Sequence, residues 1–452
     1  MNKSTLAIAV AVGLLAQQAS AAGFIEDSKA TLKLRNFYIN NDNRDSGTKA
    51  AGAQSKAEEW GQGFQLDFTS GFTQGTVGFG IDAIGLLGVK LDSSTAKHGN
   101  PTGSNYGGTV FPSDGNHAVD DFSSLGLTAK AKISQTELRI GTLQPKLPVI
   151  VSNDGRMLPQ TFQGGQITSS EFKDLTFTGG QIEHAKGRNS SNNEGLSIAG
   201  ANNSVTGKFV NKFYYGGVDY KLNKDLLLQY YYGNLEDFYK QHFLGLVHNW
   251  SIGPGVLKSD LRYFNSTDDG KNGHNSAYYT TGDYANSSAG SGKGKVDNNL
   301  ISGLFLYTVE GHTFGGGYQV SNGSSDFPFL NQGDGASAYI PTDMQISKFA
   351  RAGERTWQAR YSYDFAKVGV PGLTAGAVYL RGDNIDTYGG GKQTSNGASE
   401  WERDITVAYV IQEGALKNLG VMWKNAMWRN DIAGQRDQDE NRLIVSYSIP
   451  LL

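Results

Sequence analysis

Apolar and polar residues alternate with a period of two through much of this chain. In the segment 124–133 the apolar side chains fall on one face, and Lys130 and Lys132 fall on the other. The same alternation returns at 357–364 and 442–451, while helical periodicity is almost absent. The pattern predicts strands of about ten residues, each with one apolar and one polar face. Such strands suit a transmembrane β-barrel, in which one face contacts lipid and the other contacts water.

The composition fits this fold class and excludes several others. The chain has 452 residues and no cysteine, so a disulfide framework, a thiolate metal site and a cysteine nucleophile are excluded. Mean hydropathy is −0.40, and no segment after the N-terminal region approaches the run of about 18 apolar residues that a membrane helix needs. A net charge of −3 provides no basic surface for nucleic acid, so no nucleic-acid partner is expected.

The N-terminal region has the features of a secretory signal peptide. Lys3 precedes the short apolar stretch 6–15, and small residues that a signal peptidase accepts follow near Ala21. The stretch is too short to cross a bilayer as a helix. We therefore predict that residues 1–21 are cleaved on export and that residues 22–452 form a single barrel domain.

Short and long connections alternate along the predicted strands, as they do between the two sides of a bacterial outer-membrane barrel. The short links are residues 134–135, 172–174, 223–224 and 310–311. The long polar loops are residues 40–61, 88–122, 187–207, 268–296, 322–354, 384–400 and 430–439. This spacing predicts about 18 strands, an even number that places both termini on the periplasmic side and the long loops outside the cell.

Eight short segments, spread from the first predicted strand to the last, carry a resemblance to a known family. They are Arg35-Asn36-Phe37-Tyr38, Gly141-Thr142-Leu143-Gln144-Pro145, Leu158-Pro159-Gln160, Ser169-Ser170-Glu171-Phe172, Trp357-Gln358-Ala359-Arg360-Tyr361, Pro371-Gly372-Leu373-Thr374, Tyr409-Val410-Ile411-Gln412 and Arg442-Leu443-Ile444-Val445. In this order they resemble the OprD family of Pseudomonas-type substrate-specific porins over essentially the whole mature chain. The resemblance implies a monomeric barrel of about 18 strands, inward-folded loops that form a narrow eyelet, and a ladder of basic side chains that guides small carboxylate-bearing solutes.

The segment 145–163, which we name the constriction loop, is too apolar for a freely solvated connection. It contains three prolines and the apolar run 147–151, so we expect it to fold into the barrel lumen. The residues thereby brought to the constriction are Asn153, Asp154 and Arg156. An exposed loop with a buried apolar anchor is the alternative. The loop 322–354 is also rich in apolar residues, and we expect it to pack over or into the mouth of the barrel.

Strand phase assigns the charged side chains to the lumen. A charge on the lipid face near the membrane midplane costs roughly 2–4 kcal/mol, so the polar face must point inward. The basic residues on this face are Lys33, Arg35, Lys130, Lys132, Arg139, Lys258, Arg262, Arg360, Lys424 and Arg442. A row of cations attracts anionic solutes, and arginine can hold a carboxylate through two hydrogen bonds. The acidic residues expected to moderate this attraction are Glu137, Asp154, Asp260 and Asp364.

Each of these cations has a second interpretation, in which it pairs with a carboxylate of the wall and has no contact with solute. Two inward positions also depart from the family pattern. Some members place arginine where Val378 and Met422 stand here, although Lys424 keeps a positive charge two residues further on. The interrupted ladder predicts a preference for carboxylates with an aromatic or hydrophobic body over basic amino acids and very polar anions.

Enzymatic motifs are absent from the sequence. The seven histidines are scattered without a zinc-type H-E-x-x-H pattern, and the Gly-Lys pairs in 289–295 lack the spacing of a phosphate-binding loop. We therefore expect no catalytic residue, no bound metal and no cofactor.

The expected function is passive, substrate-selective uptake of small carboxylate-bearing solutes, either aromatic and other organic acids or amino acids. The expected partners are small anionic or zwitterionic solutes, outer-membrane lipids and lipopolysaccharide, and the expected assembly is a monomer or a weak trimer. Two alternatives are a general diffusion porin of weak selectivity and a barrel used for surface adhesion or structure.

Overall fold

The computed structural model describes residues 23–44, 55–98, 109–198, 209–270, 296–331, 337–389, 392–432 and 435–452. Within these ranges, eighteen strands form one antiparallel sheet in which each strand pairs with its neighbours along the chain. The first strand, Lys29–Asn43, also pairs with the last, Gln438–Pro450, so the sheet closes on itself. The predicted fold, an all-β transmembrane antiparallel up-and-down barrel with inward-folded loops, is confirmed. The predicted signal peptide lies outside the described residues.

We number the barrel strands in chain order. They are β1 (Lys29–Asn43), β2 (Lys56–Thr69), β3 (Gly78–Asp92), β4 (Asp121–Ile133), β5 (Thr136–Leu143), β6 (Thr161–Ser169), β7 (Leu175–Lys186), β8 (Phe213–Lys221), β9 (Leu226–Leu235), β10 (Tyr239–Ile252), β11 (Gly255–Asp268), β12 (Asp297–Val309), β13 (His312–Gly323), β14 (Arg355–Asp364), β15 (Leu373–Gly389), β16 (Lys392–Val410), β17 (Gly420–Asn430) and β18 (Gln438–Pro450). Their lengths run from 8 to 19 residues. No helix in the described part of the chain is long and apolar enough to cross a membrane.

The pairing of β1 with β18 shows how the alternation fixes the two faces of the wall. Leu34 lies opposite Tyr447 on the outer face, whereas Arg35 lies opposite Ser446 on the inner face. The outer face is apolar and open to its surroundings, and Leu125 is 72% exposed there. A slip of one residue would turn Arg35 into lipid at a cost of roughly 2–4 kcal/mol near the midplane, so the register is strongly specified.

Aromatic side chains gather towards both ends of the outer face. Trp357, Tyr379 and Trp401 lie side by side on β14, β15 and β16, with ring centroids 5.3 and 5.9 Å apart. Towards the other end, the rings of Phe314 and Tyr361 are 5.3 Å apart. Aromatic belts at both interfaces are characteristic of barrels that span a membrane.

The two-residue links predicted at 134–135 and 310–311 are confirmed, because the flanking strand residues pair directly. Glu310 and Gly311 both have positive φ, at 48° and 87°. This is the backbone of a type I′ turn, whose twist matches that of the strands it joins. These tight links define the short-turn end of the barrel, and the opposite end is the long-loop end.

The loop predicted at 384–400 is wrong. β15 continues to Gly389 and β16 begins at Lys392, so paired strand occupies almost the whole segment, with irregular register between Gly382 and Tyr388. The loop predicted at 40–61 is also too long, since β1 ends at Asn43 and β2 begins at Lys56. Strands that extend past the bilayer meet water on both faces, so they lose the apolar alternation on which the prediction depended.

Two loops pack against the inner wall. In the constriction loop, Lys146–Leu147 and Ile150–Val151 pair as a small hairpin, and Val151 also pairs with Ser337 of the loop between β13 and β14. β6 begins at Thr161, so this loop ends slightly earlier than predicted. The loops and the wall share one buried apolar cluster, which includes Val149, Ile150, Phe162, Phe213, Tyr231, Phe243, Phe264, Phe327 and Ile340.

Two glycines of β2 allow the constriction loop to approach the wall. A Cβ atom at Gly61 would lie 2.6 Å from the Met157 sulfur and 2.6 Å from the Phe111 ring. A Cβ atom at Gly63 would lie 2.8 Å from the backbone oxygen of Met157. Any side chain at these positions would push the loop away from the wall, which explains the glycines at alternate positions on this inner face.

We expect Phe243→Ala to loosen the lumen cluster. Phe243 is fully buried, and its ring lies 4.7 Å from that of Phe264 and 5.7 Å from that of Tyr339. Removing a buried aromatic ring costs about 3–5 kcal/mol, and the free energy of unfolding in urea should fall by that amount. Phe172→Ala, at an exposed turn position, is the control and should lower it by less than about 1 kcal/mol. Equal losses in the two variants would contradict a stabilising role for the cluster.

Candidate permeation pathway

Arg35, on the inner face of β1, holds the tip of the constriction loop. Its guanidinium group donates hydrogen bonds to both carboxylate oxygens of Asp154, at 2.7 and 3.2 Å, and to the backbone oxygen of Arg156 at 2.6 Å. A bidentate pair of this kind fixes orientation as well as charge. The side chain of Arg156 donates instead to the backbone oxygen of Thr109, so it connects the constriction loop to the preceding long loop.

Two further arginines reach the same loop tip. Arg442 of β18 donates to the backbone oxygen of Gly155 at 3.2 Å, and Arg188 donates to the side-chain oxygen of Asn153 at 3.0 Å. Arg188 was not predicted, because it lies in the connection after β7, where strand phase gives no direction. Lys186 lies two positions earlier, at the end of an amphipathic strand. Continuing the strand phase from Lys186 would have predicted that Arg188 points to the same side. Three guanidinium groups therefore converge on the tip of the constriction loop.

A second inward segment, residues 339–349, lies along the inner wall between β11 and β18, and we name it the strap. Three arginines of the predicted ladder donate hydrogen bonds to its backbone carbonyls. They are Arg262 to Tyr339 at 3.1 Å, Arg360 to Pro341, and Arg442 to Gln345 at 3.2 Å. These arginines bind the polypeptide itself, a role that strand phase alone does not reveal.

Several of the predicted cations are ion-paired with the wall. The pairs are Lys33 with Asp67 at 2.7 Å, Lys130 with Asp82 at 2.7 Å, Arg139 with Glu137, and Arg262 with Asp260 at 2.8 Å. Lys130 is only 4% exposed and also donates to the backbone oxygen of Ser70. Because each charge has a close partner of opposite sign, these residues resemble the wall pairs that the sequence left open as an alternative.

Lys132, Lys258 and Lys424 differ from the other members of the predicted ladder. Within the ranges that the structure describes, none of the three makes a hydrogen bond or an ion pair with another residue. The ammonium group of Lys132 lies 5.7 Å from the ring centre of Phe72 and lines a cavity of about 370 Å³. Lys424 lies opposite Arg442 in the sheet register, so two positive charges stand side by side on this part of the wall.

Asp364, at the end of β14, has a local structural role. Its carboxylate accepts a hydrogen bond from the backbone N–H of Ala366 at 3.0 Å and caps the short 3-10 helix Phe365–Val368 after β14. The strand ends at this position, and a local cap uses the carboxylate.

Two apolar side chains stand among the cations of the inner face, on strands that β16 separates. Val378 stands opposite Arg360 in the register of β14 and β15. Met422 stands two residues before Lys424 on the same face of β17 and opposite Ile444 of β18. The inward phase of both positions therefore follows from the pairing of the strands.

A buried carboxyl pair lies at the long-loop end. Glu354, in the loop just before β14, faces the carboxyl group of Glu400 on β16, and both side chains are buried. Burial raises the pKa of Glu354 well above the ordinary value of a glutamate, and the negative charge of Glu400 raises it further. Glu354 therefore keeps its proton at pH values at which an exposed glutamate is ionised.

A closed barrel with an apolar outer face, aromatic belts and loops folded into a charged lumen defines a channel of the outer membrane. The chain belongs to the OprD family: the model for "outer membrane porin, OprD family" matches residues 22–451. The resemblance noted in the sequence is confirmed, as are the outer-membrane location and the assignment as a porin. Porins are channels rather than enzymes.

Relatives share the full length of the chain. The Porin-like protein GalP of Pseudomonas putida is 36% identical over 450 residues, which cover 99% of this chain and 97% of that protein. Among solved structures, OccK8 (OprE) of Pseudomonas aeruginosa is 61% identical with a TM-score of 0.83, covering 95% of this chain and 100% of that chain. OpdK of Pseudomonas aeruginosa, solved with vanillate, is 35% identical with a TM-score of 0.80 and the same coverage, 95% and 100%.

We expect Glu354 to make the protein less stable as the pH rises above the ordinary glutamate pKa. Because its pKa is raised in the folded state, its contribution is fully present below the ordinary glutamate pKa of about 4.3 and is lost as the pH rises through the raised pKa. Glu354→Gln imitates the protonated form and should flatten this part of the pH dependence. Thermal unfolding midpoints of the two proteins, measured from pH 5 to pH 9, test it. Parallel pH profiles would contradict the assignment.

Proposed function

We propose that this porin takes up small carboxylate-bearing solutes passively, with the unpaired lumen lysines as the groups that attract and contact them. The observation that carries the proposal is that Lys132, Lys258 and Lys424 face the lumen without a hydrogen-bonding or ion-pairing partner among the described residues. An ammonium group with three unused donors can bind a carboxylate at once, whereas a paired cation must first release its partner. Anionic and zwitterionic solutes are the substrates that fit.

The confined space of the lumen attracts anions in addition to the direct contacts. Charges that line a narrow passage with low-dielectric walls raise the local concentration of counter-ions and the rate at which they enter. The lumen also contains many carboxylates, so the attraction is moderate and a solute can leave again. This balance supports selective diffusion rather than tight binding.

The preferred solute body follows from two apolar positions of the inner face. Val378 and Met422 lie on the same inner face as Arg360 and Lys424. An aromatic or aliphatic body can rest on either of these side chains while its carboxylate meets the cation nearby. Vanillate, present in the structure of the relative OpdK, is an aromatic carboxylate of this kind. We therefore favour aromatic and other organic acids over amino acids.

A general diffusion porin of weak selectivity is the alternative, and the ion pairs of the wall favour it. Lys33, Lys130, Arg139 and Arg262 have carboxylate partners, which reduces the net positive charge of the lumen. The two proposals differ in whether Lys132, Lys258 and Lys424 determine the rate at which anionic solutes enter the barrel.

Substitution of the unpaired lysines tests the proposal. Lys424→Gln and Lys258→Gln should each lower benzoate uptake into proteoliposomes by about two- to tenfold and leave benzyl alcohol, a neutral solute of similar size, nearly unaffected. Lys424→Arg keeps the charge and is the matched control. The difference should shrink towards 1 M salt, where the screening length is about 3 Å.

Arg139→Gln provides a comparison with a paired cation and should have a smaller effect on benzoate uptake than Lys424→Gln. If the lysine variants keep the uptake and the salt dependence of the parent protein, the chain is a general diffusion porin.

A further inference from the structure

Three carboxylates stand at alternate positions on the inner face of β16. Glu400, Glu402 and Asp404 are buried, and Glu402 has no exposed surface at all. Like charges this close together inside a protein are costly unless each carboxylate accepts hydrogen bonds. The three carboxyl groups therefore need hydrogen-bond donors from elsewhere in the protein.

Most of the donors come from the strap, whose residues 345–347 lie directly over the row, and the indole N–H of Trp428 on β17 also donates to Glu400. Glu402 accepts the backbone N–H groups of Ile346 at 2.9 Å and Ser347 at 2.7 Å, one on each carboxylate oxygen. The hydroxyl group of Ser347 donates to Glu400 at 2.6 Å. Both oxygens of this buried carboxyl group and both backbone N–H groups are thereby satisfied, which matters because an unpaired polar group inside a protein is costly.

The wall thus holds the strap by hydrogen bonds to both its backbone N–H groups and its backbone carbonyl groups. Carboxylates of β16 bind its N–H groups, and the arginines at positions 262, 360 and 442 bind its carbonyl groups. While the strap is in place, Arg360 and Arg442 have donors committed to Pro341 and Gln345. A segment held in this way reduces the open cross-section of the barrel along the wall from β11 to β18.

We propose that Glu402 is the positioning residue that fixes the strap against the wall and thereby sets the width of the pore. The inference rests on the proposed permeation function in that the strap lies on the solute path. Its mechanism concerns the position of the strap and does not depend on which solute passes. Glu402 is singled out because it takes two backbone N–H groups, while its neighbours take a hydroxyl group or a long contact of 3.4 Å to the N–H of Gln345.

A thiol placed on the strap provides the test. The natural chain has no cysteine, so Ile346→Cys introduces a single reactive group. The Ile346 side chain packs against the apolar cluster of Ile385, Ala398, Trp428 and Ile432 when the strap is in place. In this parent, Glu402→Ala should raise the rate of modification by a membrane-impermeant thiol reagent about tenfold or more, because its two hydrogen bonds to the strap no longer oppose local opening. Single-channel conductance of Glu402→Ala should also exceed that of the parent.

Two further variants separate the strap from general loosening. Glu402→Gln keeps one acceptor oxygen and should react at an intermediate rate. Glu59→Ala is the matched control, because Glu59 is an equally buried inward glutamate that accepts the backbone N–H of Val110, in a different loop, at 2.6 Å. Its thiol reactivity should equal that of the parent.

Equal modification rates and conductances for Glu402→Ala and the parent would overturn the proposal. So would an equal acceleration by Glu59→Ala, which would indicate loosening of the whole long-loop end. If Glu402→Ala fails to fold, the Glu402→Gln rate decides, and a rate equal to the parent's overturns it. Because the thiol rate requires no solute, this test can succeed or fail independently of the lysine substitutions.

Discussion

Every backbone N–H and C=O group inside a bilayer must find its partner within the protein, because lipid offers none. In this chain the pairing of β1 with β18 completes that requirement by removing the last free edge. A closed antiparallel ladder then forces alternate side chains outward and inward, so the apolar outer face and the charged lumen follow from one constraint. The register is held because a one-residue slip would exchange the faces, moving Arg35 from beside Ser446 into lipid.

The same requirement acts a second time inside the barrel. Loops folded into the lumen have exposed backbone groups of their own, and the wall satisfies them with charged side chains. Arg360 donates to the carbonyl of Pro341, while Glu402 accepts the N–H groups of Ile346 and Ser347. Much of the lumen charge is therefore structural, which explains how a row of cations can coexist with a row of carboxylates. Only those charged groups that bind neither a loop nor another residue of the wall are available to contact solutes.

The sequence predicts those features that depend on neighbouring residues along the chain. The inward phase of Arg35 and the tight turn at 310–311 follow from local alternation and turn chemistry, so both could be read without a structure. The strands that extend into 384–400 and the cap formed by Asp364 were missed, because alternation no longer predicts the direction of a side chain where a strand leaves the membrane or ends. Contacts such as that between Ile346 and Glu402 join residues 56 positions apart, and no periodicity encodes them.

Long-range attraction of an anion and direct contact with it come from different cations, because the strap occupies hydrogen-bond donors of the arginines. A guanidinium group bound to a carbonyl keeps its full charge, so Arg360 still contributes to the potential of the lumen although some of its donors are used. A solute carboxylate is a stronger acceptor than a carbonyl, yet it must displace the strap before it can use those donors. Lys424 requires no such displacement. Under the proposed function, the whole set of cations brings the anion into the barrel, and the unpaired lysines determine where it first makes contact.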